Sequence, residues 1–454
     1  MASTFGGLEV GKRALYAQQA AMSTTGHNIA NANTEGFSRQ RAVLKTTDPY
    51  PHPGMNNGMM PGQIGTGVEV TTIERMREAY LDRQYRSENS HHGYWDTRQT
   101  SLEQLEGVFN ELSEHGLHAS MDKFWQSWQD LMNEPESLSA REIVMQRGVA
   151  VVDSFRHLSG SIQAIKEDLT TVRQEKTDQA NQLAEELRKV NEDISRLVPH
   201  GYTPNDLYDR RDQIIDQLSK FVDVTVTPST QGMVNVVAAG QPLVTGRDPI
   251  TPLTVDSPVQ RGELLALREM VGTPGEIDSY LQKLNQLATV LTTEVNRLHS
   301  AGYDLNGNQS GLVLFIGNDA TTIQMNPELL LSPSRLAAAG SPVVGNSDRA
   351  RAIAALKFTE LPGLGSAVTM DQFFSSMISK IGVDTEQAKR FVENSELTKE
   401  AIETRRQSVS GVSLDEEMSN MIKFQHAYNA AARSITVVDE MLDKLINGTG
   451  VVGR

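Results

Sequence analysis

The sequence contains no cysteine among its 454 residues. This absence excludes disulfide bonds, thiolate catalysis and sulfur-ligated metal sites. It is typical of a reduced cytoplasmic protein, and it also suits a protein that is exported unfolded, for which a stray crosslink would be harmful. Aromatic residues make up only 6% of the chain.

Long hydrophobic runs are also absent, and none approaches the roughly 20 residues that span a bilayer. The first 22 residues lack the charged start and apolar core of a secretory signal. We therefore expect no membrane span, and an export route other than the ordinary secretory one if the protein leaves the cell. Acidic residues outnumber basic ones by 57 to 42, and no basic stripe is visible. Nucleic acid is therefore not an expected partner.

Proline is missing from both terminal regions, because the first is Pro49 and the last is Pro362. Both ends can therefore form continuous helices. Each carries one apolar stripe at helical spacing, and the stripes consist of Leu8, Leu15, Met22 and Ile29 at the N-terminal end, and Met421, Phe424, Tyr428, Ala431, Ile435, Val438, Leu442 and Leu445 at the C-terminal end. A helix with one apolar stripe needs a partner stripe to be stable in water. The natural partner is the other terminus, of the same chain or of a neighbour, so we expect a piece of an assembly.

Periodicity predicts most of the chain to be helical. The expected helices are 3–31, 117–131, 139–197, 206–221, 276–298, 371–406 and one from 413 to the C-terminal end. Ser139 with Glu142, and Ser413 with Glu416, have capping-box spacing. Short β runs are expected at 67–73, 222–226, 233–237 and 242–245, with an irregular segment at 49–67 and turns at 302–344.

The predicted fold is mainly α with a small β-rich module, in an elongated chain that runs out and back. Its N- and C-terminal helices pair as a coiled coil, and a long helical bundle forms the body. We expect residues 1–60 and 407–454 to form a terminal coiled-coil domain that is disordered in the monomer. Residues 61–221 and 270–406 would form the body, and 222–269 a small outer β-rich domain.

Candidate ion and phosphate sites are few. His91 and His92 point about 100° apart on a helix and lack a third ligand at metal spacing, which predicts solvated surface histidines. The run 304–308 opens like a calcium loop, but Gln309 and Phe315 replace the required Gly and Glu, so a tight turn is predicted. The glycine-rich run 62–67 precedes a strand rather than a helix, which favours a flexible loop over a phosphate site.

The run Asp209-Arg210-Arg211-Asp212 is interpreted as local ion pairs on a helix, each contributing about 0.3–0.5 kcal/mol. A charged active-site cluster, or Arg211 bound to a neighbouring subunit's carboxylate, is the alternative. Phe124, Trp125 and Trp128 are expected in the core, with partner docking as the alternative. No region collects a nucleophile, a base and an oxyanion donor, so we expect no enzyme, no cofactor and no metal site.

The end of the N-terminal helix carries a specific motif, formed by Asn28, Asn31, Asn33, Thr34, Gly36 and Phe37. Asn and Gly tolerate the backbone that a helix exit needs. The motif resembles the signature of the bacterial flagellar rod, hook and hook-associated protein family. Further stretches that resemble hook-associated members are 205–212, 294–304, 347–349, and 410–417 with Phe424, Gln425 and Tyr428.

The resemblance implies a structural protein that forms a ring of subunits at the distal end of the hook, with paired terminal helices lining the axis. Its implied partners are other copies of itself, the hook protein, the second hook-filament junction protein, a chaperone that binds the C-terminal region, and the flagellar type III export apparatus. Its implied location is the extracellular flagellum, after a transient cytoplasmic stage. Residues 315–347 are too short for the outer β domain that many relatives carry.

One hypothesis is an alternative to the flagellar resemblance, and a second hypothesis extends it. A cytoplasmic coiled-coil scaffold or signalling protein would explain the long helices and acidic surface, but not the asparagine-rich motif. Within the flagellar reading, the stripe from Met421 to Leu445 is expected to serve twice, first for the chaperone and then in the ring, so that the two would exclude each other.

Overall fold

The computed structural model describes residues 5–50, 64–109, 116–343, 345–365 and 368–448. Within these ranges the chain is mainly helical, as predicted. The helices are α1 Gly6–Ala30, α2 Ala79–Phe109, α3 Leu117–Asn133, α4 Leu138–Leu197, α5 Asn205–Phe221, α6 Glu263–Val271, α7 Glu276–Ser300, α8 Pro327–Leu331, α9 Asp348–Ala355, α10 Met370–Ser410 and α11 Leu414–Gly448. The strands are β1 Gln40–Thr46, β2 Val68–Arg75, β3 Val224–Pro228, β4 Val234–Ala238, β5 Gln241–Thr245, β6 Phe315–Ile316 and β7 Gln324–Met325.

The longest element is α4, whose 60 residues form one unbroken helix about 90 Å long. Its predicted length is confirmed, but its predicted cap is wrong. Ser137, not Ser139, is the N-cap, and its hydroxyl accepts a hydrogen bond from the Ala140 backbone N–H. The turn that contains Pro135 places Ser137 at the helix entrance, so Ser139 already lies inside the first turn.

The body has one large apolar core, to which α2, α3, α4, α7, α9 and α10 contribute. The largest side chains in it include Trp128, Tyr280, Phe124 and Phe155, all fully buried. Trp125 is also buried, so the expectation that the aromatic residues of α3 anchor the core is confirmed. Helix α10 runs back along α2, which returns the chain to the end from which α2 started.

The sheet β3-β4-β5 packs against the second half of α4 and against α5. Ala180, Leu187 and Ile194 of α4 share this second core with Val236 and Val244 of the sheet. The β-rich segment therefore has no core of its own, because one wall of its core is the long helix. Its boundaries at 222 and 269 remain a prediction.

Strands β1 and β2 form an antiparallel hairpin that packs on α1. Strand β1 was not expected, because Gln40–Thr46 has no regular alternation of apolar residues. Tyr50 and Ile64 continue the pairing as an isolated bridge. The predictions for residues 51–63, including Gly62 of the glycine-rich run, lie outside the described residues, as do those for residues 1–4 and 449–454.

Candidate functional site

The terminal helices α1 and α11 pack against each other along their length within one chain. The contacts run antiparallel, since Gly7 faces Val438, Gly11 faces Ile435 and Gly26 faces Met421. A β-carbon added at Gly11 would lie 2.6 Å from the Ile435 side chain. Small residues therefore let the two backbones approach closely.

The predicted apolar stripes are only partly covered by this pairing. All four positions of the α1 stripe are half-buried, and so are Met421, Phe424, Tyr428, Ile435, Val438 and Leu442 of α11, whereas Leu445 is 54% exposed. The fully buried positions of α1 are instead small or polar, namely Gly11, Ala17, Ala21, Thr24, Thr25 and Asn28. The predicted stripe, which is based on apolar residues seven apart, does not include these positions. Two helices that pack as closely as α1 and α11 need small side chains along the seam between them.

A second set of apolar residues on α11 is about half exposed to solvent, and of these the sequence analysis identified only Leu445. Leu414, Met418 and Ile422 are 49–58% exposed, and Val437, Met441 and Leu445 are 49–61% exposed. Within each group the residues are four apart, so they form two rows along the helix surface. The same four-residue spacing is visible in the sequence and could have revealed them.

The base of the helix pair is fixed by a polar group that we call the base cluster: Asn28, Arg39, Gln40, Glu416 and Glu417. Of these, Asn28, Gln40 and Glu417 are buried. The Asn28 amide donates to the Gln40 carbonyl at 2.8 Å and to Glu417 Oε2 at 3.0 Å, and its oxygen accepts from the Gln40 N–H at 2.9 Å. Arg39 donates to Glu417 Oε1 and to Glu416 Oε2, both at 2.8 Å. Asn28 and Glu417 are only 1% and 2% exposed. These contacts join α1, β1 and α11 at one point.

The motif forms the predicted helix exit, since α1 ends at Ala30, but Asn28 has a different role. Asn28 lies inside α1 and connects it to other elements, and it does not adopt a left-handed backbone. Asn31 follows the helix and donates from its backbone and side chain to the His27 carbonyl. Gly36 has a φ of +79°, which favours glycine, and Phe37 packs edge-on against His27. The capping box expected at Ser413 and Glu416 is half formed, because the Ser413 hydroxyl accepts from the Glu416 N–H at 3.5 Å but the Glu416 side chain binds Arg39.

Next to the base cluster lies a buried ion-pair network that links β2, α2, α5 and α10. Its members are Arg75, Arg77, Arg86 and Arg406 with Asp82, Asp209, Asp212 and Asp216. Arg75 contacts Asp209 at 2.8 Å and Asp212 at 3.0 Å, while Arg86 contacts Asp216 at 2.6 Å. The interpretation of this run as local ion pairs alone is wrong, because Asp209 and Asp212 are buried and pair with Arg75 of β2. One local pair, Arg211 with Asp212, is present.

The arginines of the network hold the Asp212 carboxylate charged. Burial by itself would raise the pKa of Asp212, but Arg211, Arg77, Arg75 and Arg86 together hold it well below its usual range. Arg211 is not available for a neighbouring subunit, since it pairs with Asp212, donates to the Gly232 carbonyl and stacks on Tyr208. Burial lowers the pKa of Arg211. The network is thus an internal brace between elements.

The remaining candidates for chemistry have structural explanations. His91 accepts a hydrogen bond from the Trp95 indole, and His92 contacts Ser395 and Glu396. The run 304–308 forms a turn in which Asp304 accepts from two backbone N–H groups, as expected. Across the described ranges, no group of three or more metal-ligating side chains comes together, and none of the helices described there has the length and apolarity of a membrane span. The arrangement of these residues can hold elements of the fold together and contact other molecules.

Comparison with known proteins finds flagellar family models that match both ends and the middle of the chain. The family model for the helical domain of flagellar hook-associated protein FlgK matches residues 102–257 and 251–315. The model for flagella basal body rod proteins matches 8–37, and that for the C-terminal part of basal body rod FlgEFG proteins matches 405–448. These last two matches cover most of α1 with its motif and all of α11.

Individual relatives extend the similarity over the full length. A protein of Bacillus subtilis (strain 168) named flagellar hook-associated protein 1 is 34% identical over the whole of both chains. Its namesake in Escherichia coli (strain K12) is 24% identical over 95% of this chain and 98% of its own. The fold resembles that of the flagellar hook junction protein FlgK from Burkholderia pseudomallei, with a TM-score of 0.61 and 13% identity over 72% of this chain and all of the other.

Proposed function

The chain belongs to the flagellar hook-associated protein 1 family, and we propose that it is a structural subunit of the bacterial flagellum that connects the hook to the filament. Members of this family are structural proteins and not enzymes. The observation that carries the proposal is the pair of exposed apolar rows on α11, because they supply a surface for neighbouring copies.

In this proposal, terminal helix pairs stand side by side around a common axis and bury the rows against each other. Covering one large apolar side chain contributes about 1.5–3 kcal/mol, so the six row residues contribute on the order of 10 kcal/mol. Association of two molecules costs about 4–15 kcal/mol in lost freedom. A single contact between two copies is therefore weak in dilute solution, whereas a ring, in which each copy has several neighbours, is stable.

The base cluster and the ion-pair network give the assembly its stiffness. They join the helix pair to β1, β2, α2, α5 and α10 through charged hydrogen bonds, most of them partly buried, which are stronger than neutral ones. The body would therefore follow the orientation of the terminal helices in the ring. A connection between two mechanically different structures needs such a fixed link.

The proposed partners follow from this role. They are further copies of this chain in a ring, the hook protein on one side and the second hook-filament junction protein on the other. Before assembly the chain would be exported unfolded by the flagellar type III apparatus, with a cytoplasmic chaperone on the C-terminal helix. We propose that chaperone and ring use the same positions from Met421 to Leu445, so that they exclude each other. The final location is the extracellular flagellum.

The direct test replaces an exposed row residue with a charge. Met418→Asp should leave the body folded, since Met418 is 58% exposed, but it should place a carboxylate in the contact between copies and abolish filament attachment. Filament protein would then be lost to the medium. The measurement is filament number per cell by electron microscopy, with the variant expressed in place of the native copy.

The matched control is Ser419→Asp, which adds the same charge one position along α11, at an exposed polar residue. It should leave filaments at the normal number. Normal filaments on cells carrying Met418→Asp, with the variant present in the flagellum, would refute the proposed surface.

A further inference from the structure

The two exposed rows of α11 lie on opposite flanks of the helix. The side of α11 that faces α1 is marked by Met421 and Val438, which contact Gly26 and Gly7. Met418 precedes Met421 by three positions, whereas Met441 follows Val438 by three. Because three residues turn an α-helix by about 300°, Met418 lies about 60° to one side of the seam and Met441 about 60° to the other side. We call the rows the lower row (Leu414, Met418 and Ile422) and the upper row (Val437, Met441 and Leu445).

The rows match each other in form but cannot meet within one chain. Each consists of three apolar residues four apart and extends over about 12 Å of helix. Their central residues, Met418 and Met441, belong to one continuous helix and are 23 positions apart. The distance along the helix is therefore about 35 Å. An apolar row that its own chain cannot cover needs cover from another molecule.

We infer that the lower row of one copy packs against the upper row of the next copy, with the two copies displaced by about 35 Å along α11. In an array of parallel helix pairs, one flank of each pair faces one neighbour and the opposite flank faces the other. A lower row therefore meets an upper row. The displacement brings Met418 beside Met441 of the next copy and Ile422 beside Leu445.

This contact deepens the proposed function, on which it rests. It covers one row from each copy, which gives the six apolar side chains on which the association estimate above is based. Two different patches meet, so the contact is head-to-tail, and such contacts continue from copy to copy. Because each contact also displaces the next copy along the axis, a flat ring cannot contain it. Copies in contact would stand at different heights, as in a helical array.

Disulfide crosslinking tests the inference, because the native chain has no cysteine. The double variant Met418→Cys/Met441→Cys would replace the native copy, and isolated flagella would be oxidised with copper phenanthroline and immunoblotted without reductant. A disulfide needs Cα atoms within about 7 Å, so the two thiols of one chain cannot pair. We expect a ladder of dimers, trimers and larger products from the double variant, and monomers only from each single variant.

A second pair and a matched control fix the displacement. Ile422→Cys/Leu445→Cys has the same separation of 23 positions and should give the same ladder. Met418→Cys/Ser434→Cys is the control, since Ser434 is exposed near the upper row but lies seven positions, or about 10 Å, below Met441. It should give monomers only. A ladder from the control as strong as that from the two matched pairs would overturn the displacement.

Two other results would overturn the contact itself. One is monomers only from both matched pairs in flagella that carry normal filaments. The other is dimers from Met418→Cys alone, which would show that lower rows face each other. If Met418→Asp still abolished filament attachment in either case, the proposed function would stand without this contact. Normal filaments with Met418→Asp would instead refute the surface on which both proposals depend.

Discussion

Four asparagines of the described helices connect them to distant segments in the same way; Asn28 and Asn191 are buried, and Asn181 and Asn296 are half-buried. Asn28, Asn181, Asn191 and Asn296 each accept from the backbone N–H and donate to the backbone carbonyl of one residue: Gln40, Leu253, Val234 and Phe315 respectively. The amide thus satisfies a whole backbone unit, as a neighbouring strand would. Asp lacks the donor and Leu lacks both groups, so neither can replace asparagine here.

Single residues were also the hardest feature to predict. The motif drew attention to Asn28, but its spacing gave no information about Gln40 or Glu417. Asp209 and Asp212 were recognised as a charged cluster, yet the arginine nearest to both, Arg75, lies more than 130 positions earlier. Sequence periodicity indicates which residues share a helix face. Which residues of different elements pair with each other depends on the tertiary arrangement.

His299 makes stability depend on pH. It is fully buried, with Nδ1 donating to the Leu312 carbonyl at 2.7 Å and Nε2 accepting from the Ala337 N–H at 3.0 Å. Burial lowers its pKa to about 4 from 6.5. The unfolded chain therefore binds the proton first, and stability is full above pH 6.5 and lost as the pH falls toward 4. The free energy of unfolding should drop by about 2–3 kcal/mol between pH 7.5 and 4.5, measured by urea titration.

Two variants separate this effect from other titrations. His299→Gln should flatten the dependence over that range, although it lowers stability overall, and His426→Gln, at an exposed position of α11, should leave it unchanged. Asp212 contributes at lower pH, because its pKa is held below its usual value. An unchanged pH profile in His299→Gln would contradict the assignment.

Most of the long helices were predictable, because they have a periodic apolar face, but α2 and the short helices α6, α8 and α9 were not among the predicted ones. The 60-residue α4 and the terminal helices α1 and α11 were identified within a few residues of their observed ends. Strand β1 was missed, since one edge of a two-stranded hairpin carries little apolar pattern. The small-residue seam between α1 and α11 was also missed, because glycine and alanine give a weak periodic signal.

The α1–α11 seam can be tested by a substitution for which helix propensity and packing predict opposite signs. Gly11→Ala improves helix propensity by up to about 1 kcal/mol, but its β-carbon would lie 2.6 Å from Ile435. Overpacking of this kind typically costs about 1–3 kcal/mol. We expect the packing effect to prevail, so that amides of α1 exchange hydrogen faster in the assembled state and filament attachment weakens.

Gly6→Ala is the control, because a β-carbon there would meet nothing within 4 Å. The amides of α1 in this variant should exchange hydrogen no faster than those of the native protein. Slower exchange in both variants would mean that propensity dominates and that the seam is looser than the structure indicates.

At the scale of the whole molecule, the body and the terminal helices differ in how they are stabilised. The body buries large aromatic and aliphatic residues in a continuous core, so it is stable as a single chain. The helix pair buries few residues completely and leaves two apolar rows in solvent. Ordering a residue costs about 1–2 kcal/mol of backbone entropy. We propose that neighbouring copies offset this cost, and that the free subunit has disordered ends.

Amide hydrogen exchange of the dilute subunit, compared with the same chain in isolated hook-filament junctions, tests this claim most directly. The account predicts that α1 and α11 exchange rapidly in the dilute subunit and become protected by about tenfold or more in the junction, while α3 in the body core is protected equally in both. Slow exchange of α1 and α11 in the dilute subunit, equal to that of α3, would show that the terminal helices need no neighbours and would contradict the account.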